Sequence, residues 1–240
     1  VVCTTNNIRL KPLKNNFPED FSDLLLKSKL VIKGEAINPE MSLGLSIYNN
    51  IPNKKHLKFN NKTEVRLKDG KAEFKIHSDK NSILYYYLSG EIPVKFNLNS
   101  SQLLSIKDNK DIKADLNYNF NNLSLLKLIL PSEHEIIGKS SGKLSISGKY
   151  DSPLVNGEIK YIKGKYNYFL QNIELGNING DFSLKDNIFI VNKLVLEDEE
   201  KNQLFIDGKA DLRKNKNKNY NFNMKTQNFS LLSNPNINSV

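Results

Sequence analysis

From Asp111 to Phe120 the chain reads Asp-Ile-Lys-Ala-Asp-Leu-Asn-Tyr-Asn-Phe, and this apolar/polar alternation recurs almost to the last residue. A period of two puts successive side chains on opposite faces of a strand, whereas a helix would scatter them around its circumference. The wet face is mostly Lys, Asn and Ser. The pattern therefore predicts an all-β chain, and the question it poses is what the greasy face touches.

Composition narrows the answer. A content of 38% hydrophobic residues without Trp and a mean hydropathy of -0.50 are lean for one closed globule and suit an extended sheet with a single apolar face. The formal charge is +9, yet among 35 basic residues only Arg9, Arg66 and Arg213 are arginines. Lysine is a solvated point charge, while base and phosphate recognition favours the arginine fork. Lysines interleaved with Asn and Asp along strand faces read as a soluble coat that blocks edge pairing, so no nucleic-acid partner is expected. Weak attraction to anionic headgroups is compatible with them. Cys3 is alone, which excludes a disulfide framework within the chain. Val1 to Thr5 is neither a signal peptide nor a membrane span, and the sequence stops in Asn234-Pro235-Asn236-Ile237-Asn238 without a closing element. We expect a segment of a longer protein, with its targeting signal and anchor elsewhere.

Strands are predicted at Met41 to Ile47, Val65 to Ile76, Ile92 to Leu98, Ile112 to Phe120, Leu144/Ile146, Val155 to Tyr161, Tyr166 to Leu170, Phe182/Leu184, Leu194/Leu196, Leu204 to Leu212 and Tyr220 to Met224. Within the second, Asp69-Gly70 is a two-residue hairpin signal. It would pair Leu67 with Ala72 and Val65 with Phe74, which puts all four apolar side chains on one face. Pro93 lies on the polar face of its strand and suggests an edge or an irregularity. Two segments break the period: Phe17 to Leu26 and Asn122 to Leu130 read as short helical turns, the second stopped by Pro131.

These turns expose an internal repeat. The pattern [Asp/Asn]-[Phe/Leu]-Ser-x-Leu begins at Asp20, Asn122 and Asn228. The run Lys29-Leu30-Val31-Ile32-Lys33-Gly34 with Pro39 likewise matches Lys143-Leu144-Ser145-Ile146-Ser147-Gly148 with Pro153. Strand-rich units that repeat without burying their own apolar face indicate a stacked, elongated architecture. The blocks are 1–121, 122–227 and the start of a further repeat at 228–240.

Gly142 to Gly148, Ser152-Pro153-Leu154-Val155-Asn156-Gly157-Glu158-Ile159, Gly164-Lys165-Tyr166 and Asn177-Ile178-Asn179-Gly180, preceded by the leucine-rich Asn122 to Pro131 segment, resemble the C-terminal region of the TamB proteins of Gram-negative bacteria. Order and spacing carry the likeness, which is strongest from about Asn122 to Leu212. The resemblance implies an AsmA-like repeating β-groove, a curled antiparallel sheet with an apolar, taco-shaped interior. It also implies a periplasmic bridge from an inner-membrane anchor to a TamA-like outer-membrane partner, associated with phospholipid transport and autotransporter assembly. We expect the anchor and the partner-docking end to lie outside this sequence, so that only the groove function carries over.

The residues support a physical version of that reading. An acyl chain exposed to water costs about 0.8 kcal/mol per methylene, so its passage between membranes needs a continuous apolar trough. Leu116, Tyr118, Phe120, Leu144, Ile146, Ile159, Tyr161, Phe182, Leu184, Leu204, Ile206, Phe222 and Met224 are predicted to line it. Lys113, Asp115, Lys143, Ser145, Ser147, Asp207 and Lys209 would face water. Gly148, Gly157 and Gly208 fall on the apolar side, where a missing side chain eases curvature or leaves room for ligand.

Catalytic chemistry is thin. His56, His77 and His134 lack metal-ligand spacing, and Glu197-Asp198-Glu199-Glu200 lacks the glycine and oxygen spacing of a calcium loop. Ser140-Ser141-Gly142 has no recognisable His and Asp partners. We expect no enzyme activity, cofactor or metal. The competing readings are a scaffold for client outer-membrane β-proteins, an outer-membrane barrel, and an ordinary closed core, the commoner use of an alternating face. The barrel would need aromatic girdles, and these tyrosines do not cluster at strand ends.

Overall fold

The computed structural model describes residues 1–9, 24–34, 40–49, 60–79, 84–96, 104–106, 109–123, 131, 133–171, 173–213 and 219–230. Among them there is no helix. The strands are β1 (Val2–Arg9), β2 (Leu24–Lys33), β3 (Glu40–Asn49), β4 (Asn60–Lys68), β5 (Lys71–Ser78), β6 (Leu84–Phe96), β7 (Leu104–Ile106), β8 (Asp111–Phe120), β9 (His134–Lys149), β10 (Leu154–Tyr168), β11 (Ile173–Lys185), β12 (Ile188–Glu197), β13 (Gln203–Asp211) and β14 (Tyr220–Thr226). They form a 14-stranded antiparallel sheet in sequence order from β1 to β14, with β7 off the main path against β6. β1 and β14 each have a single neighbour in that order, so the sheet is not closed into a barrel.

The chain divides into two compact units, Val1–Tyr118 with Leu144–Leu154, and Asn119–Lys143 with Val155–Val240. In the first, pairing puts apolar residues in lateral rows. Leu30, Leu43, Val65, Phe74 and Gly90 are successive cross-strand partners from β2 to β6, and Ile32, Met41, Leu67, Ala72 and Ile92 form the next row. The Asp69-Gly70 turn has φ of 51° and 71°, the mirror-image turn whose twist suits a hairpin. Its register pairs Leu67 with Ala72 and Val65 with Phe74, as the alternation predicts. Pro93 immediately precedes Val94, Lys95 and Phe96, the residues that pair with β7.

In the second unit the rows run from β10 to β14. Gly157, Leu184, Phe189, Ala210 and Tyr220 form one; Ile159, Phe182, Val191, Gly208 and Phe222 the next; Tyr161, Gly180, Leu194, Ile206 and Met224 a third. Register shifts fall between Tyr161 and Gly164, Gly176 and Asn179, and Val191 and Leu194, at bulges in three adjoining strands. Such bulges raise local twist and bend the strand that carries them.

The helical turn predicted over Phe17 to Leu26 is corrected where it is described: Leu24, Leu25 and Leu26 open β2, with Leu25 opposite Tyr48 and Leu26 opposite Ile47. An unbroken leucine run has no period to separate helix from strand, and a neighbouring strand satisfies the backbone without the cost of helix nucleation. Asn122 and Leu123 are also non-helical, and residues 17–23 and 124–130 lie outside the described residues. The predicted Val155 to Tyr161 and Tyr166 to Leu170 strands are one long β10 that continues through its bulge to Tyr168, with Leu170 in the turn beyond.

Candidate functional site

The apolar face is the feature that the sheet leaves unfinished. Of the predicted lining residues, Leu116, Tyr118, Phe120, Leu144, Ile146, Ile159, Tyr161, Phe182, Leu184, Leu204 and Ile206 are half-buried, and Phe222 and Met224 are exposed, Met224 at 66%. Among the described residues the fully buried apolar side chains are Val94, Leu123, Ile178, Val191, Leu196 and Ala210, and no large side chain falls below 2% exposure. A close-packed interior would enclose such aromatic and branched residues completely. The outward set behaves oppositely: Lys113, Asp115, Lys143, Ser147, Asp207 and Lys209 are exposed, with Ser145 half-buried.

Within the second unit, pairing brings Ile159 against Phe182, Ile206 against Leu194 and Met224, and Leu184 against Phe189. The Phe182 and Phe189 rings stack at 5.7 Å. The face grows more open toward β14, where Tyr220 is 58% exposed. Gly148, Gly157 and Gly208 have φ of 89°, 153° and 153°, a region that side-chain-bearing residues avoid.

Tyr161 has a further structural commitment. Its hydroxyl donates to the Ile137 carbonyl at 2.6 Å, and its ring lies over Gly164 and beside Gly138, so neither glycine has room for a Cβ. Burial pushes the Tyr161 phenol up from its ordinary value, against a smaller downward effect of the Lys165 carbonyl. Burial likewise raises Tyr86, whose hydroxyl meets the Asn61 side-chain amide.

In the first unit, Leu30, Leu43, Val65 and Phe74 share one lateral apolar row and Ile76 pairs with Leu88 in another, although the predicted groove set leaves these residues out. The opposite face of the second unit is not uniformly wet. Ile162 and Phe205 are 45% and 42% exposed there. With Val195, Lys160 and Lys193 they line a shallow depression of about 430 Å³.

The remaining candidates have local partners. Asp198 is buried at 7% exposure and accepts the Asn202 N–H at 2.8 Å and the Ser230 N–H at 2.9 Å. Glu197 accepts from Gln203 Nε2 at 2.9 Å. His77 faces Tyr87 at 6.2 Å. His134 stacks on Tyr168 at 4.7 Å and meets the Tyr166 hydroxyl at 2.9 Å, while His56 lies outside the described residues. Ser140, Ser141 and Gly142 are half-buried within β9. Among the described residues no group of His, Cys, Asp or Glu is arranged to hold a metal ion.

No protein-family model, curated protein or solved structure matches the chain.

Proposed function

We propose that this chain is a periplasmic segment of a TamB-like bridge between the inner and outer membranes, an apolar β-groove that carries phospholipid acyl chains and supports outer-membrane protein assembly. One observation carries the reading: the apolar rows are in lateral register, yet apart from the buried Val191 and Ala210 their side chains are half-buried or exposed. Sheet faces that complete a core are covered by a second layer, and the free energy still available on an open face is about 25 cal/mol per Å². An acyl chain laid along such a face exchanges water for hydrocarbon without needing any catalytic group.

A photo-crosslinking residue at Ile206, with Asp207 as its control, tests this in cells that express the chain within its full-length protein. Phospholipid adducts are expected at Ile206 and not at Asp207. Adducts at neither position, in folded protein, would overturn the lipid reading. A scaffold for client β-strands is the second reading, favoured by the single-neighbour strands β1 and β14. Protein adducts concentrated at Asn221 or Asn223 in β14 would support it.

A further inference from the structure

On the outward face of the second unit, opposite the trough, three apolar side chains lie together. Val195 and Phe205 are direct cross-strand partners on β12 and β13, and with Ile162 of β10 they line one shallow depression. Ile162 and Phe205 keep 45% and 42% of their surface in water. Strand pairing sets a charged row beside them, in which Lys160, Asp181 and Lys193 are successive partners across β10, β11 and β12. At the backbone the two rows are two strand residues apart, about 7 Å, and the lysines are two strand spacings apart, about 10 Å. The polar groups around the depression are unequally committed. Asn179 donates to the Asn177 carbonyl at 2.8 Å and accepts the Lys163 N–H at 3.1 Å, and Gln203 donates to Glu197 at 2.9 Å. Asp181 accepts from Asn192 at 3.4 Å. Lys160 and Lys193 are exposed, and among the described residues neither ammonium makes a hydrogen bond or ion pair. The depression thus offers an apolar centre and two uncommitted positive charges along one side.

We propose that this patch docks an amphipathic helix of a partner protein, whose apolar stripe settles on Ile162, Val195 and Phe205 while carboxylates along one flank meet Lys160 and Lys193. A small ligand is bound in a cleft that covers most of it, whereas an open apolar centre with a polar rim is the anatomy of a protein interface. The charged and apolar rows run side by side across the strands, as the flank and stripe of a helix do. Helix residues seven apart lie about 10 Å apart on one side, the spacing of the two lysines. Such a helix also steps over the exposed Asp181 between them, which a uniformly anionic bilayer would confront. The site is on the face away from the trough, so the inference does not rest on the lipid-groove reading.

The test uses the 240-residue chain and a fluorescein-labelled helical peptide of about 20 residues, with a leucine stripe and two glutamates seven positions apart on its flank. A second peptide carries lysines in place of those glutamates. Anisotropy measures binding, and circular dichroism records the strand content of each variant. The unaltered chain is expected to bind the glutamate peptide about tenfold more tightly than the lysine peptide. Phe205→Ser should weaken the glutamate peptide about tenfold, as loss of a central apolar anchor does. If that variant does not fold, Ile162→Ser takes its place. The double variant Lys160→Glu with Lys193→Glu should reverse the preference and bind the lysine peptide better, a rescue that damaged packing would not produce. No binding, equal binding of the two peptides, or an unreversed preference in the double variant overturns the proposal. Binding lost in Met224→Ser but kept in Phe205→Ser places the peptide in the trough, which also overturns it. So does cosedimentation with phosphatidylglycerol vesicles that the double variant abolishes while the peptides fail to bind, because the patch would then meet a membrane surface.

Discussion

The Asp198 carboxylate accepts the backbone N–H of Ser230 at 2.9 Å, fastening the chain beyond β14 to the turn between β12 and β13. Asn202 donates to the same carboxylate through its backbone at 2.8 Å and its side chain at 3.1 Å. Burial works to raise the Asp198 pKa, but the hydrogen bonds from Ser230 and Asn202 outweigh it and hold the carboxyl below the usual aspartate value. A depressed folded pKa contributes stability that is present above the unfolded value, about 3.9, and is lost as pH falls through the folded one. Acidification below about pH 4 is therefore expected to release this attachment. Asp198→Ala should do so at neutral pH, read as roughly tenfold faster hydrogen exchange at the Asn202 and Ser230 amides. Unchanged exchange in the variant would remove the carboxylate from this role.

The hairpin between β4 and β5 depends on Gly70. Its φ of 71° is costly for any residue with a Cβ, and its carbonyl accepts the Val94 N–H at 2.9 Å, which ties the turn to β6. Gly70→Ala is expected to destabilise the chain by about 1 kcal/mol. A urea titration measures this, and an unchanged midpoint with an unchanged slope would refute it.

How far the alternation can be read depends on where the chain keeps its register. Between Val65 and Phe74 a two-residue turn preserves the period, so face and pairing follow from the residues alone. Ile162 falls on the otherwise polar face by the alternation itself, and the bulge that follows Tyr161 shifts the register of what comes after, where the Tyr161 ring lies over Gly164. Alternation lacks any term for an inserted residue, so it assigned Tyr161 to the groove without detecting its bracing of Gly138 and Gly164. β1 escapes the alternation for a different reason. Cys3, Thr4, Thr5, Asn6 and Asn7 carry no hydrophobic period, and their strand is specified by pairing with β2.

Two glycines in interior strand positions should respond oppositely to the same substitution. A Cβ at Gly90 would overlap the Lys113 carbonyl, approach Phe74 Cζ to 2.6 Å and Ala114 Cα to 3.0 Å, so backbone must move to admit it. A Cβ at Gly176 meets nothing within 4 Å. Gly90→Ala is expected to cost about 1–3 kcal/mol through overpacking, whereas Gly176→Ala should be neutral or stabilise by up to about 1 kcal/mol through reduced freedom of the unfolded chain. Thermal midpoints of the two variants compare these directly, and equal shifts would contradict the close approach at Gly90.

At alkaline pH the half-buried phenols of Tyr161 and Tyr86 should contribute to the loss of stability. Burial raises Tyr161 and Tyr86 above the ordinary tyrosine value of about 10, because ionisation would place a charge where solvent is partly excluded. A folded pKa above the unfolded one means that the native state holds its proton more tightly. The associated stability is complete below about pH 10 and is lost as pH rises through the folded value. Tyr161→Phe removes that loss at its site. At neutral pH it also removes the hydroxyl that donates to Ile137 at 2.6 Å, a cost of about 1 kcal/mol. The variant is thus expected to be weaker than the unaltered chain at pH 7 and to lose less stability between pH 9 and pH 12, with Tyr86 supplying the residual dependence. Parallel pH profiles for variant and unaltered chain would show that ionisation of Tyr161 does not couple to folding.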